Sequence, residues 1–521
     1  MDTTPPEVLL VEPADGSLWV DPHTEIKVTF SEPINLSTVS EALFITPSFR
    51  QSVKLGLRGR NLIIQPPSPF PPQTTVVVTL GTSLRDLRGN RMKGSFSWAF
   101  STGGEIAQGE IGGRVFSETN PEGMLVGTWL VDESPRDSLA FPPYATMVSR
   151  DGGFRLAYLP PGRYRLFLWD DKDRNRIYRP GVELLGIPWD DLEVQTGQSS
   201  CWMEFIPFKE DTTDQMPLTL HLTDPAHLVV RWARRWKSAD DSSVTEKLRV
   251  IWDDDTFGVK GRIIDPNDSS RIIFILPTPS REVMVGETLK ITLGEWSHFA
   301  RVVSPQDTSP PQILWTYPRD GEREVSPDLQ GMIIFDDFLG EEPPPSFLTL
   351  TVSDSLNWEV DWDWDGGARI IWKPRSSLPP LKRVVWELKR EENYDLFGNR
   401  GDSTIHIGIS PFDPSDRGSI SGQVESDRRL GEQVRVSLVP VGRARSQRLP
   451  MTFTSPDGYF HLAGVPEGRY RLWVFLDRNG DGQYTLGSRN PFVPSEPFTV
   501  GKDTLEVKKR WEIADVKIHL P

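Results

Sequence analysis

The sequence has a single cysteine, Cys201, in 521 residues. No intramolecular disulfide can form, and the lone thiol reads as a small core residue rather than a nucleophile. No apolar run approaches the roughly 20 residues that a membrane helix needs. Basic residues are outnumbered, 58 against 73, leaving a net charge of -15. Such a surface repels phosphate backbones and argues against nucleic acid as a partner. Only seven histidines occur, none in an H-x-x-E or H-E-x-x-H pattern, so no zinc protease site is visible. Nucleophile elbows, phosphate loops and dinucleotide fingerprints are missing too. Long amphipathic helical patterns are almost absent.

What is present is period-two alternation and a great many turns. Ile26, Val28 and Phe30 alternate with Lys27 and Thr29, and Phe96, Trp98 and Phe100 with Ser97 and Ala99. That spacing puts one face of a strand on a core and the other in water. The 46 prolines and 42 glycines are scattered between such runs, as expected for short strands joined by turns. A chain of this length calls for about three to five domains.

The chain also repeats itself. Asp2-Thr3-Thr4-Pro5-Pro6 returns as Asp307-Thr308-Ser309-Pro310-Pro311, and Pro13-Ala14-Asp15-Gly16 as Pro318-Arg319-Asp320-Gly321, both at an offset of 305. Asp86-Leu87-Arg88-Gly89-Asn90 returns as Asp395-Leu396-Phe397-Gly398-Asn399, at 309. Pro161-Gly162-Arg163-Tyr164-Arg165-Leu166 returns as Glu467-Gly468-Arg469-Tyr470-Arg471-Leu472, at 306. A pair of domains has been duplicated, and the small steps in offset mark loop insertions and deletions.

The elements Asp2 to Pro6, Pro13 to Gly16, Phe30-Ser31-Glu32-Pro33 and Asp86 to Asn90 resemble the bacterial Ig-like domain of surface-layer proteins. The later copy departs at Phe335-Asp336-Asp337-Phe338. The series Ile111-Gly112-Gly113-Arg114-Val115, Asp151-Gly152-Gly153-Phe154 and Leu159-Pro160-Pro161-Gly162-Arg163-Tyr164, with its copy, resembles the transthyretin-like regulatory domain found beside carboxypeptidases. The resemblances imply an all-β fold, a tandem array of β-sandwich domains, with no catalytic residues in the transthyretin-like copies. The expected order is an Ig-like domain over 1–104 and a transthyretin-like one over 105–207. A divergent Ig-like domain follows over 208–306, then an Ig-like domain over 307–412 and a transthyretin-like one over 413–521.

Two loops have the start of calcium-loop spacing, with oxygen side chains at positions 1, 3 and 5. One holds Asp477, Asn479 and Asp481, and the other Asp171, Asp173 and Asn175. Neither has a Glu at position 12, and Arg176 takes the glycine's place in the second; Glu183 is a candidate late ligand there. A polar hairpin whose Asp and Asn bond the backbone is the competing reading and leads at both loops, more so at Asp171. The run Asp361-Trp362-Asp363-Trp364-Asp365-Gly366 reads as a hairpin, with Trp358, Val360, Trp362 and Trp364 on one strand face. Of the 18 tryptophans most read as core, while Trp169, Trp236 and Trp252 stand beside charges and are candidates for exposure.

The function expected from this is a non-enzymatic bacterial cell-envelope protein, a structural spacer or a scaffold binding envelope protein or polysaccharide. The alternative is a carbohydrate-binding or accessory protein beside a hydrolase. Both resemblances are typical of exported proteins, yet nothing like a signal peptide precedes Asp2. Either the protein is cytosolic, or an export signal, with a lipid tether as one form of it, is missing ahead of Asp2.

Overall fold

A computed structural model of the chain describes residues 3–49, 51–133, 139–195, 201–212, 216–236, 247–252, 255–277, 283–293, 296–353, 356–426, 433–442, 449–480 and 482–521. Its strands form five successive sandwiches, so the strands expected from alternation and the tandem all-β array implied by the resemblances are what is found.

In the first sandwich, a sheet of order Val8–Glu12, Ile26–Phe30, Asn61–Gln65 and Lys54–Arg58 faces one of order Leu43–Thr46, Thr75–Leu80 and Phe96–Ser101. Ile26, Val28, Phe30, Trp98 and Phe100 are fully buried between them, as the period-two pattern requires. The fourth sandwich repeats this ladder closely. Val8 pairs with Phe30 and a bulge follows before Leu10; Ile313 pairs with Phe335 and a bulge follows before Trp315. A bulge kept at the same place in both copies is a built feature of the edge strand.

The Asp-x-x-Gly-Asn loops are carboxylate cages. Asp86 Oδ1 accepts from the Arg88 and Asn90 amides, both at 2.8 Å, and Oδ2 from Asn90 Nδ2 at 2.7 Å. Asp395 is held in the same way by Phe397, Asn399 and the Asn399 side chain. Gly89 and Gly398 stand at φ +94° and +89°, where a side chain would be strained.

The Asp361 run is a hairpin. Val360–Trp364 pairs with Arg369–Pro374, and Asp365 Oδ1 accepts from the Gly367 and Arg369 amides. Trp358 departs from the expected shared face. It ends a separate strand, Leu356–Trp358, that pairs with Leu348–Val352 in the opposite sheet. The chain switches sheets at Glu359, which period-two counting does not register.

The second and fifth sandwiches also match. Gly109–Val115 pairs antiparallel with Gly153–Leu159 and parallel with Cys201–Phe205; Gly418–Glu425 pairs in the same two ways with Tyr459–Val465 and Glu512–His519. Tyr164 pairs with Leu192, and Tyr470 with Leu505. The third sandwich joins a sheet of Pro217–Leu222, His227–Trp232, Arg271–Ile275 and Gly261–Ile264 to one of Asp255–Phe257, Leu248–Trp252, Thr288–Leu293 and Trp296–Arg301.

The cores do not stop at single sandwiches. Phe475 and Phe498 of the fifth are part of the second's core, with Phe498 in edge-to-face contact with Phe116, Trp189 and Tyr484. Phe475 and Phe498 pair in the ladder as Trp169 and Leu185 do in the other copy, and Trp169 and Leu185 lie in an apolar cluster with Phe44 and Phe492. Polar contacts close the same seam: Ser495 donates from its amide to Pro188 O and from Oγ to Ile187 O, and Arg478 Nη1 donates to Trp189 O. Val229, Ile263, Ile273 and Ile275 of the third sandwich join the core of the fourth. The short link at Ser101-Thr102-Gly103-Gly104 is tied down as well, with Thr102 Oγ1 donating to Pro71 O at 2.7 Å and Gly103 O accepting from the Trp19 amide.

Glu204 is buried beside this seam, and burial pushes its carboxyl up to about 7, with the Trp202 indole donor at 3.2 Å acting in the other direction. A free Glu titrates near about 4.3. The folded value is the higher one, so the unfolded chain loses the proton first. Stability falls as pH rises from about 4.3 to about 7, and the loss is complete above that. Glu204→Gln is expected to raise the melting temperature at about pH 8 and to flatten the fall in stability between about pH 5 and pH 8. Thermal scans of both proteins across that range check this, and superimposable slopes would remove Glu204 as the cause.

Candidate cation sites at the sandwich joints

The two Asp-rich loops turn out to be joints. In the first, Arg176 Nη2 donates to Leu43 O at 2.6 Å and its guanidinium lies 4.7 Å from the Phe44 ring, while Arg174 pairs with Glu41. The loop therefore docks on the first sandwich. Arg176, which spoils the calcium spacing, is the residue that makes the docking contact. In the copy, Arg478 reaches the second sandwich at Trp189, and Arg489 reaches Glu210 at 3.8 Å.

Within the first loop, Asp171 Oδ2 accepts from the Arg176 amide at 3.0 Å, and Asn175 Oδ1 from the Ile177 amide at 2.7 Å. Asp173 accepts from the Asn175 amide and side chain and pairs with Arg179 at 3.2 Å. Asn175 thus turns toward its own backbone. Asp171, Asp173 and Glu183 are gathered, with one carboxylate oxygen of each within 4.8 Å of the others. Burial, followed by the charges of Glu183 and Asp173, raises the Asp171 carboxyl despite the Arg176 amide. Glu183 is fully buried and accepts from the Lys172 and Arg179 amides.

Glu496 has the corresponding place in the copy, accepting from the Arg478 and Thr485 amides at 2.7 and 2.9 Å. The donors are offset by 306 residues and the two glutamates by 313, so counting from the loop misses the match. The ladder pairs Tyr164–Leu192 and Tyr470–Leu505 carry the same step and would have found it. Asp477 is buried and accepts from Arg435 Nε at 2.6 Å and from the Gly482 amide at 2.9 Å. Arg435 neutralises it directly. Asn479 donates to Thr485 Oγ1, and Asp481 lies outside the described residues.

A third carboxylate cluster brings together Asp307 and Asp395 of the repeated motifs and Asp337 of the departing segment, a meeting that no motif announced. It lies where the third and fourth sandwiches meet. Asp224 and His227 flank the turn between Pro217–Leu222 and His227–Trp232, Asp307 opens the fourth repeat, Asp337 follows Gly331–Phe335, and Asp395 sits in its cage. All five are buried. His227 Nδ1 is 2.9 Å from both Asp224 oxygens, and its Nε2 is 2.9 Å from Asp337 Oδ1. Burial on its own would lower the imidazole's pKa, but its bonds to Asp224 and Asp337 raise it to about 10, so it stands as a cation. Burial raises Asp307 to about 6, with the Asp224 charge adding to it. A lone histidine without a second ligand at helical spacing carries no signal in sequence, and its aspartate partner across the joint is 110 residues away.

Trp169, Trp236 and Trp252, the candidates for exposure, are all buried, and none presents a ring face to a sugar. Trp169 closes its strand, so Asp170 beside it lies beyond the strand, and Trp236 stands in no strand at all. The exposed indoles are Trp19, Trp202 and Trp511. Cys201 packs at the edge of the second core, with Sγ 3.1 Å from Glu193 O, and burial pushes its thiol up, away from nucleophilic character.

Among solved structures, domains 1–6 of the surface layer protein SbsC align with 98% of this chain and 68% of their own, at 10% identity and a TM-score of 0.18. BcpA, the major pilin subunit of Bacillus cereus, aligns with 79% of this chain and 99% of its own, at 9% identity and a TM-score of 0.13. An L,D-transpeptidase from Mycobacterium smegmatis aligns with 31% of this chain and 76% of its own, at 16% identity and a TM-score of 0.15. Scores this low carry no argument about this chain. No curated protein matches it. Residues 2–102 match the family of the bacterial Ig-like domain, so the first sandwich bears out the resemblance drawn from its Asp-x-x-Pro-Pro start and its Asp-x-x-Gly-Asn loop.

Proposed function

We propose that this chain is a non-enzymatic structural protein of the bacterial cell envelope, a stiff scaffold that holds or spaces other components. The observation behind this reading is the seam between the second and fifth sandwiches, where Phe475 and Phe498 enter the partner's core. Apolar packing of this kind resists hinge motion far better than short linkers do, since relative motion of domains is the default unless their interface is large and hydrophobic. On this reading the second and fifth sandwiches are transthyretin-like domains serving as mutual braces, and the boundaries 105–207 and 413–521 describe one such pair. The Ig-like domain at 2–102 fits an exported protein.

Fractionation of the native host with an antibody to the chain tests this. Recovery in the envelope fraction supports it, and recovery in the cytosol alone overturns it.

A second reading, a carbohydrate-binding accessory protein, has one observation in its favour. An open cleft of about 970 Å³ between the second and fifth sandwiches is lined by Trp202, Glu204, Arg114, Lys502 and Asp515. Exposed indoles stack on sugar rings, and polar groups around them set specificity. A glycan array separates the readings, and no binding to any envelope or host polysaccharide removes the second.

A further inference from the structure

We propose that the joint between the third and fourth sandwiches binds one calcium ion through Asp307, Asp337 and Asp395. One carboxylate oxygen from each of the three lies within 4.8 Å of the others, and the residues are exposed by only 7%, 4% and 0%. Asp337 Oδ2 is fully buried without a hydrogen-bond donor. A buried carboxylate oxygen left without a partner is costly, and a metal ion supplies what is missing.

The balance of charge leads to the same conclusion. Asp224, Asp307, Asp337 and Asp395 are four buried carboxylates, and the cation set among them is His227. Its Nδ1 is hydrogen-bonded to Asp224, and its Nε2 stands 2.9 Å from Asp337 Oδ1 as an ion-pair contact. The nearest other donor shared by the cluster is a neutral amide, Asn399 Nδ2, at 3.3 Å from Asp307 Oδ2 and 2.7 Å from Asp395 Oδ2. Arg390, also buried, is committed to Gln312, Asp402 and Ser403. Several carboxylates in one dry site repel one another strongly, and a divalent ion removes most of that repulsion.

The ligands are hard oxygens on three separate chain segments, which suits calcium, with its tolerance of irregular geometry and of added carbonyl or water ligands. Magnesium asks for a near-ideal octahedron. Zinc would want an imidazole nitrogen, and the set Asp307, Asp337 and Asp395 offers none. The ion would tie the segment entering the fourth sandwich to its Asp-x-x-Gly-Asn loop, while His227 carries the tie to the third.

The test is calorimetric titration of CaCl2 into the chelator-treated full chain, with thermal melts alongside. One bound ion and a rise in melting temperature are expected. Asp337→Asn should weaken binding at least tenfold. Because it also breaks the pair with His227, Asp307→Asn is the companion variant, which leaves that pair in place. It should weaken binding to the same extent and melt at or above the chelator-treated wild type, because it removes a repelled charge. A variant that merely folds poorly would melt lower. Asp171→Asn and Asp477→Asn should keep the site intact. No heat and no shift in the wild type would overturn the proposal. So would undiminished binding in Asp337→Asn, or loss of binding in Asp171→Asn, which would place the ion in a loop. Tighter binding of ZnCl2 or MgCl2 than of CaCl2 would overturn the choice of metal.

Discussion

Phe498→Ala is expected to destabilise the protein by about 3–5 kcal/mol and to part the second sandwich from the fifth. The side chain is fully buried and meets three aromatic rings, Phe116, Trp189 and Tyr484, at centroid distances of 5.8, 6.1 and 5.3 Å. Truncation removes these edge-to-face contacts and leaves a cavity that two separately folded sandwiches cannot close without moving. The loss should show as a distinct, earlier melting transition and a larger radius of gyration in X-ray scattering. Phe100→Ala is the control. That residue is just as buried, but in the core of the first sandwich. It should cost a similar amount while leaving the seam closed. Unchanged scattering from Phe498→Ala would show that the seam does not brace the chain.

His227→Leu has the second large effect. It removes the positive charge from between Asp224 and Asp337 while leaving both buried. Breaking a buried ion pair from one side costs about 3–5 kcal/mol, because the remaining charge is left uncompensated. Adding Asp337→Asn to His227→Leu should recover part of that cost, which a double-mutant cycle by chemical denaturation measures. Strict additivity of the two substitutions would mean that the 2.9 Å contact across the joint contributes nothing.

Much of the fold was legible because alternation and turn residues act locally. Ile26, Val28 and Phe30 point inward since successive side chains on a strand must alternate, and the same rule carried the Asp361 hairpin. Trp358 escaped it, because a strand that changes sheets keeps its alternation in sequence while its partner changes in space. Trp169, Trp236 and Trp252 escaped it differently. Trp169 and Trp252 end their strands and Trp236 lies outside any, so a charged neighbour in sequence does not report where the indole points. The candidate sites were less legible. Asp171 and Asp477 were found by spacing, and Glu183 as a late ligand that the fold does gather with Asp171 and Asp173, but its counterpart Glu496 lies behind a longer loop and was not found. Arg435, which neutralises Asp477, comes from a neighbouring strand 42 residues away.

That the chain is all-β, duplicated and Ig-like in its first unit can be read from the amino acids alone, because period-two patterning and turn chemistry are local and the repeated motifs are short. Only the tertiary structure decided which apolar faces join sandwiches and which close them. Phe498 and Phe100 look alike in sequence, since both are apolar positions on alternating strands, and burial takes no account of which unit supplies the partner. The same holds for the carboxylates at Asp224, Asp307, Asp337 and Asp395, whose charges act through space across a joint that no local pattern records.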